Sequence, residues 1–269
     1  MSLSNNYEET PSGGMKALIA ILFIVGVVLL AVTVYMQIYG KPSGYSDETG
    51  STADPYNDEN IRANIEQTKL ATVYVATFQT NSFRTGTGFV IRSDGYIITN
   101  HHVISDNIAI WVKINTEDTF YKAVVVDSRE DYDLALLRIW REDLPKAVLG
   151  NSGGVKQGDN VRVLGYPLGT QAMLSELMNT EEDENIIPGS GETLKENVGI
   201  ISSYVSQSDR YTLDVSVNPG NSGGPVVSEK DGKVIAVVYA KIMDAEGISF
   251  AIPINLVESF FMAATGEVL

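Results

Sequence analysis

Eight consecutive residues, Asn218-Pro219-Gly220-Asn221-Ser222-Gly223-Gly224-Pro225, set one serine among glycines that permit a sharp backbone turn. A serine hydroxyl attacks a carbonyl only when a base takes its proton, and the oxyanion formed must be held by hydrogen-bond donors. The turn supplies such donors: the amides of Gly220 and Ser222 can converge on one point, glycine at 220 permitting the twist that aims its N–H. For the base the chain offers two histidines, His101 and His102, adjacent in Thr99-Asn100-His101-His102-Val103. Read as extended backbone, this segment points the two rings in opposite directions, so one of them serves. The candidates weighed for the carboxylate are three aspartates, Asp127, Asp131 and Asp133. Asp133 stands directly before the apolar run Leu134-Ala135-Leu136-Leu137, where a strand would bury it beside the imidazole. Positions 102, 133 and 222 give the order base, carboxylate, nucleophile, with gaps of 31 and 89 residues. Such a constellation performs covalent acyl transfer.

The elements that must position these groups are short strands. Segments 72–79, 88–92, 96–99, 108–114, 119–127 and 134–139 are rich in β-branched and aromatic residues. After a connection over 144–158 a second set follows at 160–165, 197–204, 210–215, 225–227, 233–240 and 247–252. Ser93-Asp94-Gly95 and Lys230-Asp231-Gly232 read as hairpin turns. Six strands and then six more predict an all-β domain of two six-stranded antiparallel barrels packed face to face. Residues 254–264 predict a closing helix, with Asn255 as its cap and Leu256, Val257, Phe260 and Phe261 as its apolar face. A short helix over 58–69 is predicted from the spacing of Ile61, Ala63 and Ile65. His102 and Asp133 would come from the first barrel and Ser222 from the second, so the site would lie in the crevice between them.

Before the domain, residues 17–38 form a run of 22 without charge. As a helix it is roughly 33 Å long, enough to cross a hydrocarbon core of ~30 Å. An uncleaved transmembrane anchor and a cleaved signal starting at Met15 are the competing readings; no small-residue cleavage site follows, which favours the anchor. The organisation predicted is a disordered tail at 1–14, an anchor at 15–39, a linker at 40–60 and the catalytic domain at 61–269. Lys16 and Lys41 flank the apolar run evenly, so charge does not set its orientation.

Composition excludes several classes. A net charge of −15 opposes nucleic-acid binding, which requires clustered Lys and Arg. The absence of cysteine removes disulfides, thiol nucleophiles and thiolate metal sites. No metal and no cofactor are expected.

The motifs together resemble the HtrA/DegP-type branch of the trypsin-like serine proteases. The blocks that carry the resemblance are Gly86-Thr87-Gly88-Phe89-Val90-Ile91, Asp94-Gly95-Tyr96-Ile97-Ile98-Thr99-Asn100-His101-His102-Val103, Asp133-Leu134-Ala135-Leu136-Leu137, Gly165-Tyr166-Pro167-Leu168-Gly169, Gly220-Asn221-Ser222-Gly223-Gly224-Pro225 and Gly247-Ile248-Ser249-Phe250-Ala251-Ile252-Pro253. They run in the family's order over about residues 67–262. The resemblance implies an endopeptidase outside the cytoplasm, acting on unfolded, damaged or membrane-associated proteins, and a homotrimeric assembly. It selects His102 as base, because Val103 follows it, and leaves His101 where the family has asparagine. It places Ser216 at the base of the specificity pocket and Ser249, Phe250 and Ala251 along its wall, which implies cleavage after small or medium apolar residues. Asn221 stands where digestive relatives have an aspartate that pairs with a new N-terminus, so activation by clipping is not implied. Two alternatives remain: a binding protein on a protease scaffold, and a regulatory protease for one membrane-associated substrate. With the chain ending at Leu269, no C-terminal PDZ domain of the family's kind is expected. The chain carries an acidic insert at 170–196, read as a solvated loop or a lid.

Overall fold

The computed structural model describes residues 57–79, 83–167, 186–188, 193–239 and 249–269. The tail, the apolar run at 17–38 and the linker expected over residues 1–56, and most of the acidic insert, lie outside them. No helix among the described residues is long and apolar enough to cross a membrane.

The chain enters through helix α1 (Asp58–Ala71), started by Asn57, whose side chain accepts from the amide of Glu59. Strands β1 (Thr72–Phe78), β2 (Phe83–Arg92) and β3 (Tyr96–Thr99) follow, then a single turn of helix, α2 (His101–Ile104). Strands β4 (Ala109–Ile114), β5 (Thr119–Arg129) and β6 (Leu134–Arg138) complete the first barrel, closed by the pairing of β4 with β5. The second barrel is also closed and six-stranded. Its members are β7 (Asn160–Gly165), β9 (Lys195–Val205), β10 (Arg210–Asp214), β11 (Pro225–Ser228), β12 (Val234–Tyr239) and β13 (Ser249–Pro253). Helix α3 (Ile254–Thr265) ends the fold. The enrichment in β-branched and aromatic residues thus located both sets of six strands, with ends displaced by one or two residues and β2 extended further upstream.

One strand departs from that count. Part of the acidic insert forms β8 (Ile186–Pro188), which pairs antiparallel with Thr119–Tyr121 of β5 on the edge opposite β4. A segment lying between two strands of the second barrel therefore joins the sheet of the first. Three residues are too few to announce a strand by composition.

The second barrel has its own filling, with Val161, Val163, Leu213, Val226, Ala236 and Val238 buried inside. The larger core runs through the first barrel and out to the closing helix, where Val257, Phe260 and Phe261 are buried as their spacing predicts. Asn255 does not cap α3. Its Oδ1 accepts from the amide of Ser152, whose hydroxyl in turn accepts from the Asn255 amide, so the inter-barrel connection supplies the cap. In α1, Ile65 is buried and Ile61 packs against the core, but Ala63 is exposed; the buried stripe continues through Thr68 instead.

Helix α1 touches both halves of the domain. Asn64 donates to the carbonyl of Asp231 and Gln67 to that of Lys146, while Asn115 of the first barrel donates to the carbonyl of Lys69. Lys69 also pairs with Glu196 of β9 at 3.1 Å, and Arg162 of β7 holds the same carboxylate at 2.9 Å. Glu196, counted with the acidic insert, is therefore bound within the second barrel. Burial alone would raise its pKa; hydrogen bonds and charge from Arg162 and Lys69 outweigh this and lower it. A depressed carboxylate pKa contributes stability above the unfolded value of about 4.3, and that contribution is lost as pH falls through the folded value. Glu196→Gln should thus lower stability at pH 7 by on the order of 1 kcal/mol, a modest figure for a half-exposed group. In urea unfolding the difference from wild type should shrink as the pH is taken below about 4.3, and a difference that stays constant as the pH is lowered would contradict the assignment.

Candidate active site

The residues singled out for chemistry lie on three pieces of chain. The first is α2. His101 and His102 occupy one helical turn and not an extended segment, so their rings diverge by roughly 100° about the helix and not by a half-turn. His101 Nδ1 lies 2.7 Å from the Ser128 hydroxyl. His102 Nδ1 lies 2.8 Å from Asp133 Oδ2, and the His102 backbone amide donates to Asp133 Oδ1 at 2.9 Å. Both oxygens of one carboxylate thus grip one histidine, through ring and backbone together.

The second piece is the turn ending at Asp133. This residue has φ of 55°, the left-handed region that aspartate tolerates better than most residues. Its carbonyl accepts from Asn100 Nδ2 at 2.9 Å and from the His101 amide at 3.2 Å, and its amide donates to Glu130. Arg210 of the second barrel donates to the neighbouring carbonyl of Tyr132 at 2.9 Å. The competing carboxylates are otherwise placed: Asp127 pairs with Arg129, and Asp131 is exposed.

The third piece is the glycine-rich turn. The Asn221 amide donates to the Asn218 carbonyl at 3.1 Å, and Gly220 has φ of 100°. Positive φ at the third residue with proline at the second makes this a type II turn, since proline cannot take the positive φ of a type I′ turn. Its central peptide, which carries the Gly220 N–H, is turned over relative to a type I turn. Among the described residues neither the Gly220 nor the Ser222 amide donates to a backbone carbonyl. Ser222 itself is 6% exposed. Its carbonyl accepts from the Thr87 amide at 2.8 Å, and the Thr87 hydroxyl donates to the Gly220 carbonyl at 2.7 Å. A Cβ built on neighbouring Gly86 would touch both Val103 and the Ser222 carbonyl, which sets Ser222 against the residue following His102. No hydrogen bond joins the Ser222 hydroxyl to His102 among the described residues.

The expected pocket residues divide. Ser249 is buried with its hydroxyl on the Val215 carbonyl at 3.0 Å, and Ser216 is exposed. Phe250 is half-buried, its ring 6.5 Å from that of Tyr239, and Tyr239 meets the His102 ring edge-on at 5.9 Å. Ala251 points the other way, into the core of the second barrel. Sequence reasoning passed over Tyr239 and Thr87. Thr87 carried one signal, its place between two glycines, but its partner lies 133 residues away.

The matching family model is that of the trypsin-like peptidase domain, over residues 86–237. That is more than half of the chain. The chain belongs to the trypsin-like peptidase family. Its domain is of the HtrA/DegP type. It is 33% identical over 231 residues to the bovine mitochondrial serine protease HTRA2, covering 82% of this chain and 47% of that one. It is 34% identical over 179 residues to a probable periplasmic DegP-like serine endoprotease of Pseudomonas fluorescens, covering 64% and 33%. Among solved structures, the serine endoprotease of Yersinia pestis matches with a TM-score of 0.62 and 26% identity, over 77% of this chain and 67% of that one. The HtrA-type protease AlgW with tripeptide matches with a TM-score of 0.61, 26% identity and coverage of 78% and 65%. The chain spans less than half the length of these two sequence relatives.

The serine turn of this peptidase domain is packed too closely for larger residues. Gly223 has φ of 86°, and a Cβ there would lie 2.1 Å from the Thr87 carbonyl oxygen. Gly158 has a similar φ of 88° with nothing within 4 Å. Gly158→Ala should therefore cost about 1–2 kcal/mol, the backbone strain alone. Gly223→Ala should cost at least about 2 kcal/mol more, because backbone must move. Denaturant unfolding of the two variants compares them, and equal losses would refute the close-packing account.

Proposed function

We propose that the chain is a serine endopeptidase in which Ser222 is the nucleophile, His102 the general base and then acid, and Asp133 the group that orients the imidazole. The observation that carries this reading is the two-point hold of Asp133 on His102. It commits Nδ1–H to the carboxylate, which leaves Nε2 unprotonated and able to accept the serine proton. Ser222 Oγ attacks the scissile carbonyl as His102 takes its proton. The resulting oxyanion is received by the N–H groups of Gly220 and Ser222. Collapse to the acyl-enzyme expels the amine, which leaves with the proton from His102. Water repeats the sequence and releases the acid. The Ser222–His102 contact forms with substrate in place; catalytic hydrogen bonds that are long in an empty site commonly tighten in the complex.

The substrates proposed are unfolded or membrane-associated proteins outside the cytoplasm, and the 22 uncharged residues at 17–38 are proposed as the tether. Relatives named as periplasmic and mitochondrial proteases support that reading.

Labelling of the full-length protein by a fluorophosphonate probe tests the nucleophile. Wild type should label, Ser222→Ala should not, and Asp133→Asn should lose peptide turnover by about 10⁴-fold. Absence of wild-type labelling, both in membranes and in detergent, would favour a binding protein on a protease scaffold. No carboxylate occupies position 216, so a basic side chain would leave its charge unpaired there. Profiling with a peptide library should accordingly show cleavage after small or medium apolar residues. A profile dominated by arginine would refute that.

A further inference from the structure

Thr87, on β2 of the first barrel, is fully buried and makes four hydrogen bonds through three groups. Its amide donates to the Ser222 carbonyl at 2.8 Å. Its hydroxyl donates to the Gly220 carbonyl at 2.7 Å and accepts from the Tyr166 amide at 2.9 Å. Its carbonyl accepts from the Thr99 hydroxyl at 2.7 Å. A hydroxyl has a single hydrogen, so donating to Gly220 commits it. We propose that Thr87 is the positioning residue of the oxyanion-binding amides. This rests on the serine-protease reading above.

The two residues whose N–H groups receive the oxyanion are the two whose carbonyls Thr87 holds. One side chain and its own amide therefore fix the separation of the two donors. They also fix where those donors stand relative to the base. Thr99 is followed directly by Asn100, whose side chain holds the Asp133 carbonyl at 2.9 Å, and Asp133 grips His102. The buried chain Gly220–Thr87–Thr99, continued along the backbone to Asn100 and on to Asp133, ties the oxyanion turn of one barrel to the base of the other. Hydrogen-bond donors act in catalysis only when preset at the position of the developing charge, and a misplacement of about 1 Å can cost about 100-fold in rate. Removing the hydroxyl also leaves the Gly220 carbonyl and the Tyr166 amide without this partner in a buried seam. The turn then relaxes towards whatever satisfies it.

The contribution is to the transition state, where the oxyanion exists, and not to ground-state binding. The test uses the full-length protein with Thr87→Val, which keeps the shape and removes the hydroxyl, and Thr87→Ser, which restores it. Thr87→Val should lose about 10- to 100-fold in kcat with KM little changed. It should bind a peptide aldehyde, an oxyanion mimic, more weakly by a similar factor. Its pH–rate profile should keep the wild-type shape, because the His102–Asp133 pair is intact. Thr87→Ser should return to within about 3-fold of wild type. If Thr87→Val does not fold, Thr87→Cys, whose thiol is a poor donor, takes its place with a kcat between the two. A folded valine or cysteine variant with wild-type kcat and aldehyde affinity overturns the proposal. So does a serine variant no better than valine, which would assign the effect to packing. Wild-type protein that neither labels nor cleaves is a separate result, visible without any Thr87 variant. It sinks the serine reading and this one with it.

Discussion

The backbone of the serine turn cannot satisfy itself within its own barrel. Gly220 and Ser222 present carbonyls to the seam, and their partner is Thr87 of the other barrel. The Tyr166 amide at the end of β7 finds its acceptor on the same residue. A buried carbonyl or amide left unpaired costs about 1–3 kcal/mol, so separating the barrels without admitting water would forfeit several of these together. Around this polar centre the seam is aromatic. Tyr74 packs edge-on against Tyr166 at 5.6 Å and against Phe120 at 6.1 Å, all of them buried. The aromatic contact supplies non-directional attraction, and the hydrogen bonds around Thr87 fix one docking among the many that attraction alone would accept. The geometry of the candidate site follows from that docking, because His102 and Ser222 are carried by different barrels.

The first barrel contributes a locally strained turn. Asp133 in the left-handed region costs about 1–2 kcal/mol relative to ordinary backbone. It persists because its surroundings over-determine it: Asn100 and His101 hold its carbonyl, Glu130 its amide and His102 both carboxylate oxygens. Strain held by several redundant contacts in this way is common at functional sites. The conformation lets the carboxylate turn back over α2 while the chain proceeds into β6.

These details show what a sequence makes legible. Strand positions followed from runs rich in β-branched and aromatic residues and from glycine turns, both local signals, and the buried face of α3 followed from helical spacing. The glycine-rich serine turn was legible because proline, glycine and a positive φ are linked by sterics within four residues. Less visible were contacts between distant segments. Asn255 has the chemistry of a cap, but Ser152, 103 residues earlier, engages it. Ala63 fits an apolar stripe, yet α1 rotates so that Thr68 is covered instead. The histidine pair was expected on extended backbone, and one turn of helix replaces it. Four residues carry too little periodicity to reveal a helix, and the amide of His101 is drawn in by Asp133, 32 residues further on. The residues alone left the two rings open and the resemblance chose His102; in the structure a single carboxylate meets both the ring and the amide of that residue.

Asn221 bears on how such a site is kept ready. It is 3% exposed, and its side-chain oxygen has no hydrogen-bond partner among the described residues. A carboxylate there would need a buried cation, and lone buried charge is far costlier than a lone amide oxygen. The neutral side chain therefore lets the turn take its type II form without an ion pair to complete it. Pro219 and the positive φ of Gly220 set that form by covalent geometry instead. The His102–Asp133 pair is likewise assembled within the first barrel. With the serine turn held by Thr87 across the seam and the His102–Asp133 pair set within the first barrel, the contact still open is that between the Ser222 hydroxyl and His102. Under the proposed reading, a peptide spanning both barrels would act on that coordinate, so its binding energy would go to closing one contact and not to building the turn or the pair.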